Sequence, residues 1–250
     1  MMNINDLYNK LGKNEIYDCT KLNVWSYNKV TDVIDDIQVD LSNMAGGYPF
    51  IFNDNEYKSN EILYLLGEFS ENSEIHKNIQ KEMQTFKSGF AAKMFVKNKY
   101  KEYIRKDFED FRLDWMLYVV WQKCKNNVNF CQKLSVIPED VILIEDTTKN
   151  KSVTRLFWGA SNKELYDARQ IIVKNVIDNI KYKTKKELNN IISREINKVR
   201  NIGIFEGQNN MGKILMICKE CLKQNIYPPF NKDLLNNKQI YINGQLLNFK

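Results

Sequence analysis

The chain contains a single histidine, His76, among its 250 residues. A metal centre built from several imidazoles is therefore excluded, and a nucleophile activated by a histidine would depend on His76 alone. Any active site must use carboxylates, lysines or backbone groups, and we expect neither a metal ion nor a cofactor.

Cysteines are also few, and their five positions show no disulfide framework spacing. Cys218 and Cys221 form a C-x-x-C pair within the helical run MGKILMICKECLKQ. No second pair and no histidine cluster lies nearby in the sequence to complete a zinc site. We interpret the cysteines as reduced thiols in or near a core.

Long apolar runs are absent, since no segment approaches the roughly 18 residues that a membrane helix needs. The polar N-terminal stretch does not resemble a signal peptide. We therefore expect a cytoplasmic, intracellular protein without a membrane partner. The net charge of +6 suits an anionic ligand, but a Lys- and Asn-rich coding bias explains it equally well. The sequence leaves the oligomeric state open.

The patterns predict an α+β fold that is mostly α-helical, with a few short strands, in a single domain over residues 1–250. Ser59 is a candidate N-cap for a helix whose inward positions are Ile62, Leu65, Leu66 and Phe69. Apolar spacing predicts further helices over residues 77–97, 104–134 (one helix or a pair), 163–200 and 211–224. The inward positions of the first two are Met83, Phe86, Phe90 and Met94, and then Phe108, Phe111, Trp115, Val119, Cys124 and Leu134.

Strands are expected in fewer places. The run VILIED favours a buried strand, and YPFIFNDNEY favours a hairpin with an Asn-Asp turn. In the C-terminal tail, residues 226–250, Asn243-Gly244 between apolar alternations predicts a type I′ hairpin.

Four segments in order resemble motifs of the NADAR/YbiA-like superfamily of N-glycosidases. They are Leu41-Ser42-Asn43-Met44, Tyr57-Lys58-Ser59-Asn60-Glu61 with Tyr64, Leu156-Phe157-Trp158-Gly159, and Gly207 through Met216. Between them, Ala91-Ala92-Lys93 and Phe108 through Met116 fall at the places of two further family segments. The resemblance covers residues 40–160 and 205–224. The lysine-rich helical stretch of residues 163–205 lies outside it and is interpreted as an insertion.

The resemblance implies a YbiA-like domain that hydrolyses the bond between a ribose and a nitrogenous base. The expected substrates are ADP-ribose attached to guanine, including ADP-ribosylated DNA or RNA, and ribosyl-phosphate intermediates of the riboflavin pathway. Such a reaction passes through an oxocarbenium-like state, which a nearby carboxylate can stabilise. Glu61 stands at the family's catalytic glutamate, and its alternative role is to stabilise the helix dipole.

Three candidates for substrate binding are aromatic residues or glycine. Trp158 and Gly159 suit a pocket wall where a base stacks and the backbone approaches closely. Phe108 occupies the place of a family tryptophan and keeps an aromatic face. A core position or a turn is the alternative for each.

The remaining candidates for substrate binding are polar. Asn43 and Asn209 could orient ribose hydroxyls or a base edge, or else close a turn. Lys93 and Arg112 could contact phosphate, although charged helix residues usually form a solvated face.

One position departs from the family pattern. Where the family commonly has an aspartate shortly before its Trp-Gly pair, this chain has Arg155. Asp146, at the end of VILIED, is the candidate replacement as a second catalytic carboxylate, and Glu145 matches a frequent family glutamate. Without a replacement acid, the chain would be a nucleotide-binding module that does not catalyse. A nucleic-acid-associated protein is a third hypothesis, motivated by the net charge and the lysine-rich helices.

Overall fold

A computed structural model of the chain describes residues 3–28, 33–34, 37–44, 46–180 and 184–249. The expected insertion and C-terminal tail lie within these ranges except for residues 181–183 and Lys250. The α+β class is confirmed, because helices predominate and the sheets are small. Among the described residues, every helix is too short or too polar to cross a bilayer.

The helices have the following bounds: α1 Ile4–Asn9, α2 Asn60–Glu68, α3 Glu74–Gln84, α4 Gly89–Lys99, α5 Phe108–Asn126, α6 Val128–Ser135, α7 Arg155–Trp158, α8 Lys163–Asn179, α9 Lys185–Asn197, α10 Asn210–Gln224 and α11 Lys232–Asn237. The strands are β1 Glu15–Asp18, β2 Val24–Tyr27, β3 Val33–Ile34, β4 Ile37–Gln38, β5 Phe50–Phe52, β6 Asn55–Tyr57, β7 Ile142–Glu145, β8 Ala160–Ser161, β9 Ile204–Gly207, β10 Tyr241–Ile242 and β11 Gln245–Leu246.

The chain divides into two compact units, each assembled from separate stretches. The first unit comprises residues 1–3, 9–42 and 137–216, and the second comprises residues 4–8, 43–136 and 217–250. Helix α10 contributes to both units, since the division falls after Met216.

The first unit is built on short strands from distant parts of the chain. An antiparallel sheet has the order β1-β9-β8, and β2 pairs with β7 in parallel. A bridge between Asp146 and Ala160 links the end of β7 to β8. The buried cluster consists of Tyr17, Cys19, Val24, Ile144, Ala160, Leu165 and Phe205. Helices α8 and α9 pack together, and of their residues only Leu165 is fully buried.

The second unit is centred on α2, which packs against α3, α4 and α5. Residues 60–67 of α2 are all buried, so this helix is enclosed on every side rather than amphipathic. The predicted inward residues of α2 are confirmed as buried, as are those predicted over residues 104–134. That second stretch forms two helices, α5 and α6, separated at Asn127.

Both predicted hairpins are confirmed by their pairing and their turn geometry. Strand β5 pairs with β6 around Asn53 and Asp54, and β10 pairs with β11 around Asn243 and Gly244. All four turn residues have positive φ, between 45° and 80°, as a type I′ turn requires. Asn, Asp and Gly tolerate this conformation better than other residues.

The predicted helix over residues 77–97 is wrong as a single element. Helix α3 ends at Gln84, and α4 begins at Gly89 after Ser88, whose side chain accepts a hydrogen bond from the Ala91 N–H. A new helix start resets the helical phase. Phe90 and Met94 are therefore 63% and 43% exposed instead of facing a core.

Arg105 connects three parts of the second unit and carries a testable pH dependence. Its guanidinium donates to both carboxylate oxygens of Asp107 at 2.7 and 3.0 Å, to Ser70 Oγ at 2.9 Å and to the Lys238 carbonyl at 2.7 Å. The hydrogen bonds from Arg105 hold the pKa of the Asp107 carboxyl below its ordinary value. A lowered folded-state pKa stabilises the fold above the unfolded value of about 3.9, and this contribution is lost as the pH falls.

We expect Asp107→Asn to lower the free energy of unfolding at pH 7 by about 1 kcal/mol, a modest amount because Asp107 is partly exposed. The difference from the unsubstituted chain should shrink below pH ~4, where the carboxyl becomes protonated. Urea denaturation at pH 7 and at pH ~3 measures both values. Asp54→Asn, at an exposed turn, is the matched control. An equal loss at both pH values would show that charge is not the cause.

Candidate active site

Glu61 lies in the first turn of α2, in the second unit, as predicted. The helix follows Ser59, which has the extended backbone of an N-cap residue, although its hydroxyl makes no capping hydrogen bond. The Glu61 N–H donates to the Asn43 carbonyl at 3.2 Å. Glu61 is only 3% exposed. Its carboxylate is therefore inside the protein, whereas a residue that serves only the helix dipole is normally in solvent.

Two of the predicted binding residues hold the Glu61 carboxylate. The Asn43 amide donates from Nδ2 to Oε2 at 2.7 Å, and the Lys93 ammonium donates from Nζ to Oε1 at 2.8 Å. These side chains come from the segment before β5 and from α4. A buried carboxylate needs such partners, because desolvation of an unpaired charge is costly. Asn43, Glu61 and Lys93 thus form one cluster, which we call the Glu61 cluster.

Gly89 allows α4 to approach the Glu61 cluster. A Cβ atom at position 89 would lie 2.6 Å from Glu61 Cβ and 2.8 Å from Ser59 Oγ, closer than real contacts allow. Lys93 follows Gly89 by four residues and so lies on the same face of α4. The short distance between Gly89 and Glu61 therefore places the Lys93 ammonium beside the carboxylate.

Three buried polar atoms belong to Asn43 or to the two residues before Glu61 and, within the described part of the chain, have no hydrogen-bond partner. They are Asn43 Oδ1, Ser59 Oγ and Asn60 Oδ1. Each such atom costs about 1–3 kcal/mol unless water or a ligand satisfies it. Sequence reasoning assigned Ser59 to capping and gave Asn60 and Gly89 no role. The available signals were the position of Ser59 and Asn60 in the segment that ends at Glu61, and the position of Gly89 shortly before Ala91-Ala92-Lys93.

Phe108 and Arg112 lie on α5 and surround Tyr64, one turn after Glu61. The Phe108 and Tyr64 rings meet edge to face with centroids 5.4 Å apart, and Arg112 forms an ion pair with Glu109 at 2.6 Å. Burial, then the negative charges of Glu68 and Glu61, raise the pKa of Tyr64 well above its ordinary value. Tyr64 is therefore a neutral hydroxyl within the field of Glu61. The binding roles of Phe108 and Arg112 stay predictions.

Asn209 belongs to the first unit, where its side chain bonds to the backbone of β7. Its Oδ1 accepts from the Glu145 N–H at 3.1 Å, and its Nδ2 donates to the Leu143 carbonyl at 2.8 Å. Its own N–H donates to the Gly159 carbonyl at 3.0 Å. Asn209 is fully buried with φ of 47°. These contacts give it a structural role, and its predicted contact with ribose stays a prediction.

Gly159 and Trp158 lie at the end of α7 in the first unit. A Cβ at Gly159 would lie 2.3 Å from the Glu145 carbonyl oxygen and 2.5 Å from Thr147 Cγ2, so the backbone packs closely there. The role of Gly159 in a pocket wall stays a prediction. Trp158 is half-buried and meets Phe157 edge to face at 4.8 Å. Arg155 is exposed and donates to the Asn150 carbonyl at 3.4 Å. Position 155 therefore carries no carboxylate, and the role of Asp146 as the replacement acid stays a prediction.

Asp146 follows β7 and is largely buried, with a side chain 10% exposed. Its Oδ1 accepts from the Thr148 hydroxyl at 2.6 Å and from the Thr148 N–H at 3.0 Å, while Oδ2 lies 3.5 Å from Arg169. Asp146 faces a cleft within the first unit. The Glu145 carboxylate adjoins buried Tyr27, and burial, then this negative charge, raise the pKa of Tyr27 well above its ordinary value.

The predicted site residues thus fall into a second-unit group that includes the Glu61 cluster and a first-unit group around the ends of β7 and α7. Within the described ranges, no three His, Cys, Asp or Glu side chains are grouped so as to bind a metal ion. Comparisons of the chain with protein-family models, with curated proteins and with solved structures found no match.

Proposed function

We propose that the protein is an N-glycosidase that hydrolyses the bond between a ribose and a nitrogenous base, with Glu61 as the catalytic carboxylate. The observation that carries the proposal is the Glu61 cluster. A carboxylate only 3% exposed is oriented by an amide and an ammonium group, both of which the family resemblance implied as site residues. Buried carboxylates that are held by specific hydrogen-bond partners are typical of active sites.

The reaction needs one water molecule and the breaking of one bond. The C1′–N bond breaks, the base nitrogen gains a proton, and water oxygen bonds to C1′ after losing a proton. The Glu61 carboxylate stabilises the positive charge at C1′ and orients the water or accepts its proton. Asn43 and Lys93 are positioning residues, because they fix both carboxylate oxygens before substrate binds.

The unsatisfied atoms of Asn43, which holds the carboxylate, and of Ser59 and Asn60, which precede Glu61, are compatible with a polar ligand. Asn43 Oδ1 and Asn60 Oδ1 can only accept hydrogen bonds, and the Ser59 hydroxyl can donate or accept. Ribose hydroxyls and water supply the matching donors. The family resemblance supplies the proposed substrates, which are ADP-ribose attached to guanine, free or in DNA or RNA, and a ribosyl-phosphate intermediate of the riboflavin pathway.

A nucleotide-binding module without catalysis is the second candidate. It is favoured by Arg155, which is exposed where the family has an acid, and by Asp146, whose carboxylate is engaged by Thr148 and Arg169. In this case Glu61 would hold a ligand without turning it over. The net charge of +6 does not distinguish a nucleic acid from any other anionic partner. Association with nucleic acid therefore stays a prediction.

The direct test is a substrate panel read by mass spectrometry. The panel contains an oligonucleotide with ADP-ribosylated guanine, the corresponding free nucleoside and a ribosyl-phosphate intermediate. We expect release of the free base together with ADP-ribose or ribose 5-phosphate from at least one substrate. If calorimetry detects binding of ADP-ribose but prolonged incubation gives no product, the nucleotide-binding module is favoured over the enzyme. Absence of both would refute the proposed function.

A further inference from the structure

A cleft of about 360 Å³ lies within the second unit, lined by the β5–β6 hairpin, the C-terminal half of α5 and two stretches of the C-terminal tail. Successive residues of a strand point to opposite faces. In β5, Phe52 is therefore buried, whereas Ile51 is 62% exposed at the cleft. Tyr227, from the tail, also lines the cleft and is 58% exposed. Two large side chains are thus accessible to a partner.

The deeper part of the cleft is aromatic. The Tyr118 ring of α5 meets three buried rings edge to face, with centroid distances of 6.0 Å to Phe52, 5.4 Å to Phe230 and 4.8 Å to Phe249. Two prolines, which fix their own φ angles, connect Tyr227 to Phe230. The aromatic surface is therefore held in place before a ligand binds, which lowers the entropic cost of binding.

Four polar side chains of the lining have no hydrogen-bond partner among the residues that the structure describes. They are those of Asn53, Tyr118, Gln122 and Asn248. A primary amide offers the same kinds of donor and acceptor as a peptide group, and a phenol can donate or accept. The main chain of a peptide in the cleft would therefore find donors for its carbonyl groups.

The charge at the cleft is positive. Among the described residues that line it, Lys125 is the only charged one. Its ammonium donates to the Tyr227 hydroxyl at 3.0 Å. This hydrogen bond, then the charge of Lys125 and that of nearby Lys232, lower the pKa of Tyr227. An ammonium group has three donors, so Lys125 can pair with a carboxylate while it holds Tyr227. Charge complementarity therefore favours an acidic partner.

We propose that this cleft binds an extended, acidic and proline-rich peptide segment of a partner protein. In the polyproline II conformation the main-chain carbonyls have no internal hydrogen bonds, so they are available to the amides and the phenol. Proline-rich segments bind aromatic grooves, and their preformed conformation keeps the entropic cost low. A carboxylate beside the prolines pairs with Lys125. The described lining shares no residue with the Glu61 cluster, so peptide binding is independent of the proposed function.

Fluorescence anisotropy on the full chain tests this with three fluorescein-labelled peptides of equal length, built from repeats of Pro-Pro-Glu, Pro-Pro-Lys and Gly-Ser-Glu. We expect the Pro-Pro-Glu peptide to bind at least about tenfold more tightly than either of the others, because only it combines negative charge with a preformed conformation. An equal affinity for either control peptide overturns the proposal, as does the absence of binding up to about 1 mM.

Two further measurements address other occupants of the cleft. Tighter binding of a labelled oligothymidine than of the Pro-Pro-Glu peptide would assign the cleft to single-stranded nucleic acid. Sedimentation equilibrium that shows a dimer, lost on Tyr227→Ala, would assign it to a second copy of the chain. Either result overturns the proposal.

Substitutions locate the peptide. Tyr227→Ala should weaken binding at least about tenfold. Ile226→Ala is the matched control, because the neighbouring side chain is also exposed but does not line the cleft, and it should bind normally. Tyr118→Phe removes only a hydroxyl, so we expect about a threefold loss. Unchanged affinity in both tyrosine variants overturns the proposal. Glu61→Gln should bind the peptide normally, so failure of the proposed activity leaves this result intact.

Discussion

Replacement of Glu61 by glutamine is expected to lower turnover of the reactive substrate by about 10²–10⁴-fold. The carboxylate stabilises the cationic sugar carbon and orients or deprotonates water, and an uncharged amide does neither. The loss should appear in kcat more than in KM, because these interactions are strongest in the transition state. Steady-state kinetics with product detection by mass spectrometry measures both parameters.

The same substitution should leave the fold intact. A glutamine at position 61 can still accept the hydrogen bond from Lys93 through its Oε1. Its NH₂ group would then face Asn43, whose amide can rotate to present Oδ1, an atom now without a partner among the described residues. Unchanged circular dichroism and thermal midpoint would verify this. Glu56→Gln, on the exposed side of β6, is the matched control and should retain full turnover.

Full activity of Glu61→Gln would show that Glu61 is not catalytic and that its ion pair with Lys93 is structural. Glu61→Asp separates position from charge, since it keeps the carboxylate but draws it back by one methylene group. Because Asn43 and Lys93 fix the present geometry to hydrogen-bond distances of 2.7 and 2.8 Å, we expect aspartate to restore only part of the activity. Equal activity of the aspartate and glutamate forms would mean that precise placement is unimportant.

The features that sequence predicted well are those that depend on neighbouring residues. Asn53-Asp54 and Asn243-Gly244 specify their turns through their own tolerance of positive φ. The start of α2 after Ser59 follows from local preferences at a helix N-terminus. The break between α3 and α4 was missed, because the apolar spacing of residues 77–97 continues across Ser88 by coincidence.

Contacts between distant segments could not be predicted in the same way. Strand β2 pairs in parallel with β7 although Val24 and Ile142 are far apart in the chain, and no local pattern specifies such a partner. Asn43, Glu61 and Lys93 were each singled out by resemblance, yet nothing in their spacing showed that the amide and the ammonium would share one carboxylate. Asn209 was also singled out by resemblance, but its buried amide is bonded to backbone groups of β7 and holds no other predicted site residue through those bonds.

The largest effect on stability is expected at Trp115, which supports the helix that carries Glu61. Trp115 is fully buried on α5, and its Nε1 donates to the Tyr64 carbonyl of α2 at 2.9 Å. The indole also fills the space beside Gly67, where a Cβ would lie 2.7 Å from Trp115 Cδ1. Trp115→Ala removes this packing and the hydrogen bond together. We therefore expect a loss of about 3–5 kcal/mol in the free energy of unfolding.

Urea denaturation followed by far-ultraviolet circular dichroism measures this loss without depending on tryptophan fluorescence. Trp158→Ala is the matched control, and we expect a smaller loss because Trp158 is only half-buried. Trp115→Phe should fall between the two, because it keeps most of the apolar contact but leaves the Tyr64 carbonyl without its donor. Similar losses for Trp115→Ala and Trp158→Ala would contradict the enclosed position of Trp115. If Trp115→Ala folds, its turnover should also fall, since the position of Glu61 depends on how α2 packs against α5.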